Sequence, residues 1–190
     1  GFWHTGVPNG GESLGWLGRL ADSGYDPATR NTIINLGSSQ SLAVRSHDHS
    51  PLVFDDPARF RREGTDLEKQ ALIELSKARE TKNSTLEFLA STAQNATESS
   101  DFVRQASAAY RTPVDYGIGG GLGNNLQRVA ALIASGMPTR LYYVTYAGNS
   151  FDTHVQQADL HSRLLMYTAD AVRGFMEDIK RLGRADDVAV

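Results

Sequence analysis

The feature that most constrains this chain is the alternation in its last third. A run rich in β-branched and aromatic residues, Thr139–Ala147, is preceded by apolar residues at helical spacing over Leu122–Ser135 and followed at once by a long helical pattern over about Val155–Leu182. Helix, strand, loop, helix is the order that builds an α/β domain around a largely parallel sheet, because parallel strands need a crossover helix between them. The spacing predicts Leu141–Tyr146 as a central strand. It also predicts Leu160, Leu164, Ala171, Val172, Phe175 and Ile179 as the face of the long helix turned to the sheet. The terminal run Asp187-Val188-Ala189-Val190 reads as the start of a further parallel strand. On this reading the polypeptide extends beyond Val190 and before Gly1, and the C-terminal third carries a Rossmann-like core.

The first two thirds are less regular. Leu14, Trp16, Leu17 and Leu20 recur at helical spacing, with Ser13 placed as an N-cap and Gly24 as a stop. Two short β-leaning runs, Thr32–Leu36 and Ser41–Arg45, flank Gly37-Ser38-Ser39 and predict a β-hairpin. Asp55-Asp56-Pro57 is a helix-start signal. The polar stretch Thr65–Tyr110 carries a stripe from Leu67, Ala71, Leu72 and Leu75 to Leu86, Leu89, Ala90 and Ala93, which predicts two helices or one broken helix as an insert. The predicted organisation is thus one partial domain over 1–190: a loop, short helix and hairpin over 1–64, a helical insert over 65–112, and an α/β core segment over 113–190.

Composition narrows the function classes. With 40% hydrophobic residues in 190 the chain can bury a sizeable core. Its 19 Lys and Arg against 22 Asp and Glu leave a net charge of −3, which gives no footprint for nucleic acid. The cluster Arg59–Arg62 is flanked by Asp55, Asp56 and Glu63 and reads as a solvated face. There is no cysteine, so a metal bound here takes oxygen and imidazole ligands. No run approaches the ~20 apolar residues of a membrane-spanning helix.

The sharpest cluster of chemistry is Gly148-Asn149-Ser150-Phe151-Asp152-Thr153-His154, between the strongest strand and the longest helix. Open α/β sheets bind ligands at the carboxyl ends of their strands, so Asp152 and His154 stand where ligands are expected. A carboxylate and an imidazole two residues apart can turn toward one ion, and such ligands suit zinc, manganese or iron. His161 lies seven residues on, about two helical turns, and is the third candidate. Plainer roles exist for the same residues. Asp152 is also placed to cap a helix, and His161 to sit at a core edge beside Leu160, Leu164 and Leu165.

Three other features read as structure. The glycine-rich run from Gly117 to Gly123 lacks a P-loop lysine and reads as a loop before a helix. His47-Asp48-His49 has metal-binding atoms but reads as a solvated turn, while Trp3, His4 and Trp16 read as packing residues.

Taken in order, Gly15-Trp16-Leu17-Gly18-Arg19, Leu126–Ile133 with Gly136, Thr139-Arg140, Phe151-Asp152-Thr153-His154, His161 and Leu164-Leu165 carry a resemblance. The chain resembles the bacterial family catalogued as domain of unknown function fifteen-oh-one, within the alkaline phosphatase and sulfatase superfamily. The resemblance spans most of the chain outside Thr65–Arg111, and consecutive glycines expected before Phe151 are replaced by Gly148-Asn149-Ser150. It implies an alkaline phosphatase-like fold and an exported protein, periplasmic or extracellular. It further implies a metal-dependent hydrolase of phosphate or sulfate esters, small or polymeric. The ligands it implies are Asp152 and His154, with His161 as a possible third, for a divalent ion: zinc first, then manganese or calcium. A nucleophile and further ligands are expected from the remainder of the polypeptide. The competing expectation is a secreted binding or structural protein that retains the fold without catalysis.

Overall fold

The computed structural model describes residues 2–8, 10–61, 65, 67–68, 70–71, 74, 84–118, 121–146, 151–155 and 157–190, with the backbone alone for 84–94. The elements run α1 (Phe2–Thr5), α2 (Trp16–Gly24), β1 (Ile33–Leu36), a 3-10 helix (Leu42–Val44), β2 (Leu52–Phe54), α3 (Ser84–Ala109), α4 (Leu122–Ala134), β3 (Leu141–Val144), α5 (Gln157–Arg181) and a second 3-10 helix (Ala185–Asp187). The contacts separate two compact units, one of residues 1–55 and 110–190, the other of residues 56–109.

The first unit is α/β. Its sheet is parallel throughout, in the order β2-β1-β3. All four residues of β1, Ile33-Ile34-Asn35-Leu36, are buried, as a strand with parallel neighbours on both edges and cover on both faces must be. On one face Ile33 joins Ala21 of α2 and Val44, with Leu17, Tyr25, Leu141 and Tyr143 packed around them. α4 contacts β3 and α5 packs on α4. Leu126, Val129, Ala130 and Leu132 of α4 and Leu164, Ala171, Phe175 and Ile179 of α5 are buried.

Two close approaches hold the layers together. α2 lies against residues 42–45 without a spacer: a Cβ at Gly15 would sit 2.0 Å from the Ala43 carbonyl oxygen, and one at Gly18 would sit 2.0 Å from that of Arg45. The amide of Gly15 donates to the Arg45 carbonyl at 2.8 Å. Arg19, at the end of the same motif, ties down the N-terminal loop by donating to the carbonyls of Leu14 (3.0 Å) and Thr5 (2.6 Å). The second approach joins α5 to the segment before α4. Asp178, with no exposed surface, accepts hydrogen bonds from the hydroxyls of Tyr110 (2.7 Å), Thr112 (2.8 Å) and Tyr116 (2.8 Å) and from Arg181 Nε (2.8 Å). Gly174, one turn earlier, leaves room for the backbone of Asp115 and Tyr116.

Several expectations are corrected. The hairpin does not form: Thr32–Leu36 supplies β1, but Leu42–Val44 is a 3-10 helix, and the partner of β1 is the parallel strand β2. The cause is local side-chain bonding. The Asn35 carboxamide oxygen accepts from the Ser41 amide at 2.8 Å, its nitrogen donates to the Ser39 carbonyl at 3.3 Å, and the Ser41 hydroxyl caps the Ala43 amide at 3.2 Å. α2 starts from Gly15 rather than Ser13, and Gly24 is its last residue.

β1 is the central strand and β3 an edge, because β1 pairs with β2 on one side and with β3 on the other, and β3 pairs with β1 alone among the described strands. The sheet is therefore not confined to the C-terminal third. Val188 is extended but pairs with no strand among the described residues, since Ala185–Asp187 form a 3-10 helix just before it. Of the predicted inward face of the long helix, Leu160 is 39% exposed and Val172 half-buried. α5 leans on α4 rather than lying over β3, which leaves its first turn outside the packed face.

Asp55-Asp56-Pro57 opens a turn, with Arg59 bonded to the Asp56 carboxylate. Trp3 is 84% exposed, not a packing residue. In the predicted helical stretch after Thr65, α3 is seen over Ser84–Ala109; Leu72 and Leu75, and the side chains of Leu86, Leu89, Ala90 and Ala93, lie outside the described residues. Among the described residues no helix is long and apolar enough to cross a membrane.

Candidate metal site

β3 ends at Val144, and α5 begins at Gln157, so Asp152 and His154 occupy the loop at the carboxyl end of an edge strand. Asp152 does not cap the helix, which starts five residues later. Its Oδ1 instead meets the His154 Nε2. Both side chains face water: that of Asp152 is 54% exposed and that of His154 87%.

The loop is fixed from below by apolar and polar contacts. The Phe151 ring stands edge-on to Tyr146, just past β3, with centroids 5.4 Å apart, and edge-on to His161 at 5.7 Å. The buried Thr153 hydroxyl meets His161 Nδ1 at 3.2 Å. His161 therefore engages the underside of the loop through one ring nitrogen, while Asp152 and His154 point outward. The three are not one cluster: among the described residues no group of three His, Cys, Asp or Glu side chains is placed to hold a metal ion. Gly148, Asn149 and Ser150 lie outside the described residues.

A carboxylate oxygen and an imidazole nitrogen that already converge fit two ligands of a divalent ion such as zinc or manganese. They do not fill its coordination shell. His161 is suited to aiming the loop, in the way that outer groups orient ligands.

Two sites outside this loop were legible only in part. In His47-Asp48-His49 the first histidine is exposed and its Nδ1 lies 2.6 Å from Asp48, whose carboxylate raises its pKa. The third, His49, is buried, and its Nε2 has no hydrogen-bond partner among the described residues. The loop is organised by Asp22 of α2, which accepts from the Ser46 hydroxyl and from the amides of His47 (2.9 Å) and Asp48 (3.1 Å). Partial burial raises the Asp22 pKa, but those donors and nearby His49 outweigh it and hold the carboxyl below its ordinary range. Asp22 escaped notice in the sequence because its partners are more than twenty residues away.

The other group is Arg128. It sits in mid-α4 and reaches the exit of β2, donating to the Asp55 carbonyl at 2.7 Å and to the Asn125 side chain at 2.8 Å. The spacing Asn125 to Arg128, one helical turn, was the available signal. No family model, curated protein or solved structure matches the chain.

Proposed function

We propose that this chain supplies part of the metal centre of an exported hydrolase that cleaves phosphate or sulfate esters, of the alkaline phosphatase and sulfatase kind. The observation that carries the reading is the meeting of Asp152 and His154 in an exposed loop at the carboxyl end of a parallel strand. That is where α/β sheets present catalytic groups. A helix cap would explain Asp152 without chemistry, but α5 starts too late for it.

In this reading Asp152 supplies a carboxylate oxygen and His154 a ring nitrogen to a divalent ion, zinc by preference. Thr153 and Phe151 hold the loop against His161, which orients it from below rather than joining the two ligands. When bound, such an ion polarises the ester oxygen and stabilises negative charge as it develops. The resemblance noted in the sequence supports the ester class and the export. A secreted binding protein that retains the fold is the second reading, and the high exposure of both side chains favours it.

Asp152→Asn separates them. The substitution keeps the shape of the side chain but weakens its hold on a cation. Elemental analysis of the purified protein should show metal in the parent and little in the variant. Chelator-sensitive hydrolysis of 4-nitrophenyl phosphate or sulfate should fall by more than about tenfold, since even groups that only orient ligands are worth that much. The unfolding midpoint should stay where it was, because the side chain is exposed. Equal metal content in the two proteins would remove the assignment.

A further inference from the structure

The carboxyl edge of the sheet also has a cationic side chain, Arg128, held beside it. Leu36, Phe54 and Val144 are the last residues of β1, β2 and β3, and they stand in register across the sheet. Asp55 follows Phe54 at one side, where its carbonyl holds the Arg128 guanidinium. Tyr146 follows Val144 at the other side, where it anchors Phe151 and so the Asp152 and His154 loop. Adjacent strands lie about 4.8 Å apart, so the two exits are separated by roughly 10 Å along the same edge.

Arg128 is unusual in how it is held. Both of its hydrogen bonds leave from one nitrogen, NH1, and go to neutral acceptors, the Asp55 carbonyl and the Asn125 carboxamide. Its NH2 and Nε have no partner among the described residues, and no described carboxylate lies within ion-pair distance of it. Arg128 is half-buried, pinned through NH1, and has no carboxylate partner among the described residues. A guanidinium in that state is a ready receptor for phosphate, sulfate or carboxylate, which it grips through two parallel N–H groups.

We infer that Arg128 binds a second acidic group of the substrate, so that the favoured ester is polyanionic, with an acidic group besides the scissile one. The inference rests on the ester-hydrolase reading for the identity of the ligand, though not for the existence of the anion site. Arg128 is thus a specificity residue, and the metal loop handles the scissile group.

Two measurements on the purified protein test it. The first compares hydrolysis of a hexose 1,6-bisphosphate with that of 4-nitrophenyl phosphate. In Arg128→Gln the preference for the bisphosphate, as a ratio of kcat/KM values, should fall roughly tenfold, the worth of one charge-assisted hydrogen bond, mainly through KM. Arg128→Lys should fall between, since it restores charge without the fork. An unchanged preference overturns the inference and leaves the hydrolase reading intact.

The second measurement follows arginine side-chain NMR signals during titration with inorganic pyrophosphate, and needs no turnover. A saturable shift of the Arg128 Nε signal supports the anion site even if neither ester is cleaved, the result that would defeat the hydrolase reading alone. Absence of any shift at Arg128 overturns the site itself.

Discussion

Replacing Asp178 by alanine should cost about 3–5 kcal/mol of stability, enough to bring a domain of ordinary stability near unfolding. The carboxylate has no exposed surface and accepts from four side chains. Removing it leaves three hydroxyls and a guanidinium whose geometry was set by it, and the Tyr116 hydroxyl loses its partner in a place water does not readily fill. Asp178→Asn should cost less, because the amide retains one acceptor oxygen.

The same cluster predicts a pH profile. Burial pushes the Asp178 pKa up, but the hydrogen bonds from Tyr110, Tyr116, Thr112 and Arg181 outweigh it and hold the group below its ordinary value. A depressed carboxylate stabilises the fold above the pKa it has when unfolded, about 4, and that contribution disappears as pH falls through the folded value. Tyr110 shifts the other way, to about 12, through burial first and then its bond to Asp178. Tyr116 is also raised, for the same reasons in the same order. The Tyr110 contribution is complete below about pH 10 and lost as pH rises toward 12, and that of Tyr116 likewise begins to fall above about pH 10. Urea unfolding between pH 3 and pH 11 checks both limbs. A profile that is the same in Asp178→Ala as in the parent would show that the cluster does not govern it.

The second large effect concerns Gly18. In a solvent-facing helix, glycine to alanine stabilises by roughly 1 kcal/mol through propensity. Here the added methyl would land 2.0 Å from the Arg45 carbonyl oxygen and 2.8 Å from the Ser46 nitrogen, and those atoms belong to a backbone that cannot rotate away. Overpacking of this kind costs up to about 3 kcal/mol, so the net expected loss is about 2. It should also loosen the 46–48 loop, whose amides bond to Asp22 one turn further along the same helix. Denaturant melts of Gly18→Ala decide the sign. Added stability would mean that α2 and the 42–45 segment are not in backbone contact.

These two positions show where sequence reading stops. Leu122–Ser135, Thr139–Ala147 and Val155–Leu182 were legible because each has a strong period over many residues, and the structure gives α4, β3 and α5 within a few residues of those bounds. The 41–45 run had the composition of a strand. It became a 3-10 helix through Asn35 and Ser41, whose side-chain bonds leave no trace in a hydropathy pattern. Asp178 looked like one more charge on a helix, since its hydroxyl donors lie more than sixty residues earlier. Gly15 and Gly18 were visible as a motif, yet spacing alone did not say what backbone they were making room for. The pairing of Asp152 with His154 was legible because it is local, two residues along one loop. The separate placement of His161 was not, because it depends on how Phe151 and Thr153 turn beneath that loop.

The register of the sheet also dictates an order of events in folding. β1 pairs on one edge with β2, about twenty residues later, but on the other with β3, more than a hundred residues later. During synthesis β1, β2 and α2 must therefore wait, with the fully apolar side chains of Ile33, Ile34 and Leu36 only partly covered, until Leu141 has emerged. Much of that delay is the 56–109 unit, which separates β2 from the segment leading into α4. Its thermodynamic burden is slight, because doubling a flexible loop adds only about 0.6 kcal/mol to closure. Its kinetic burden is larger, since pairing over long separations slows folding and prolongs exposure of sticky strands. A version of the chain with a shortened 56–109 stretch is accordingly expected to gain little in stability but to refold faster and aggregate less while doing so.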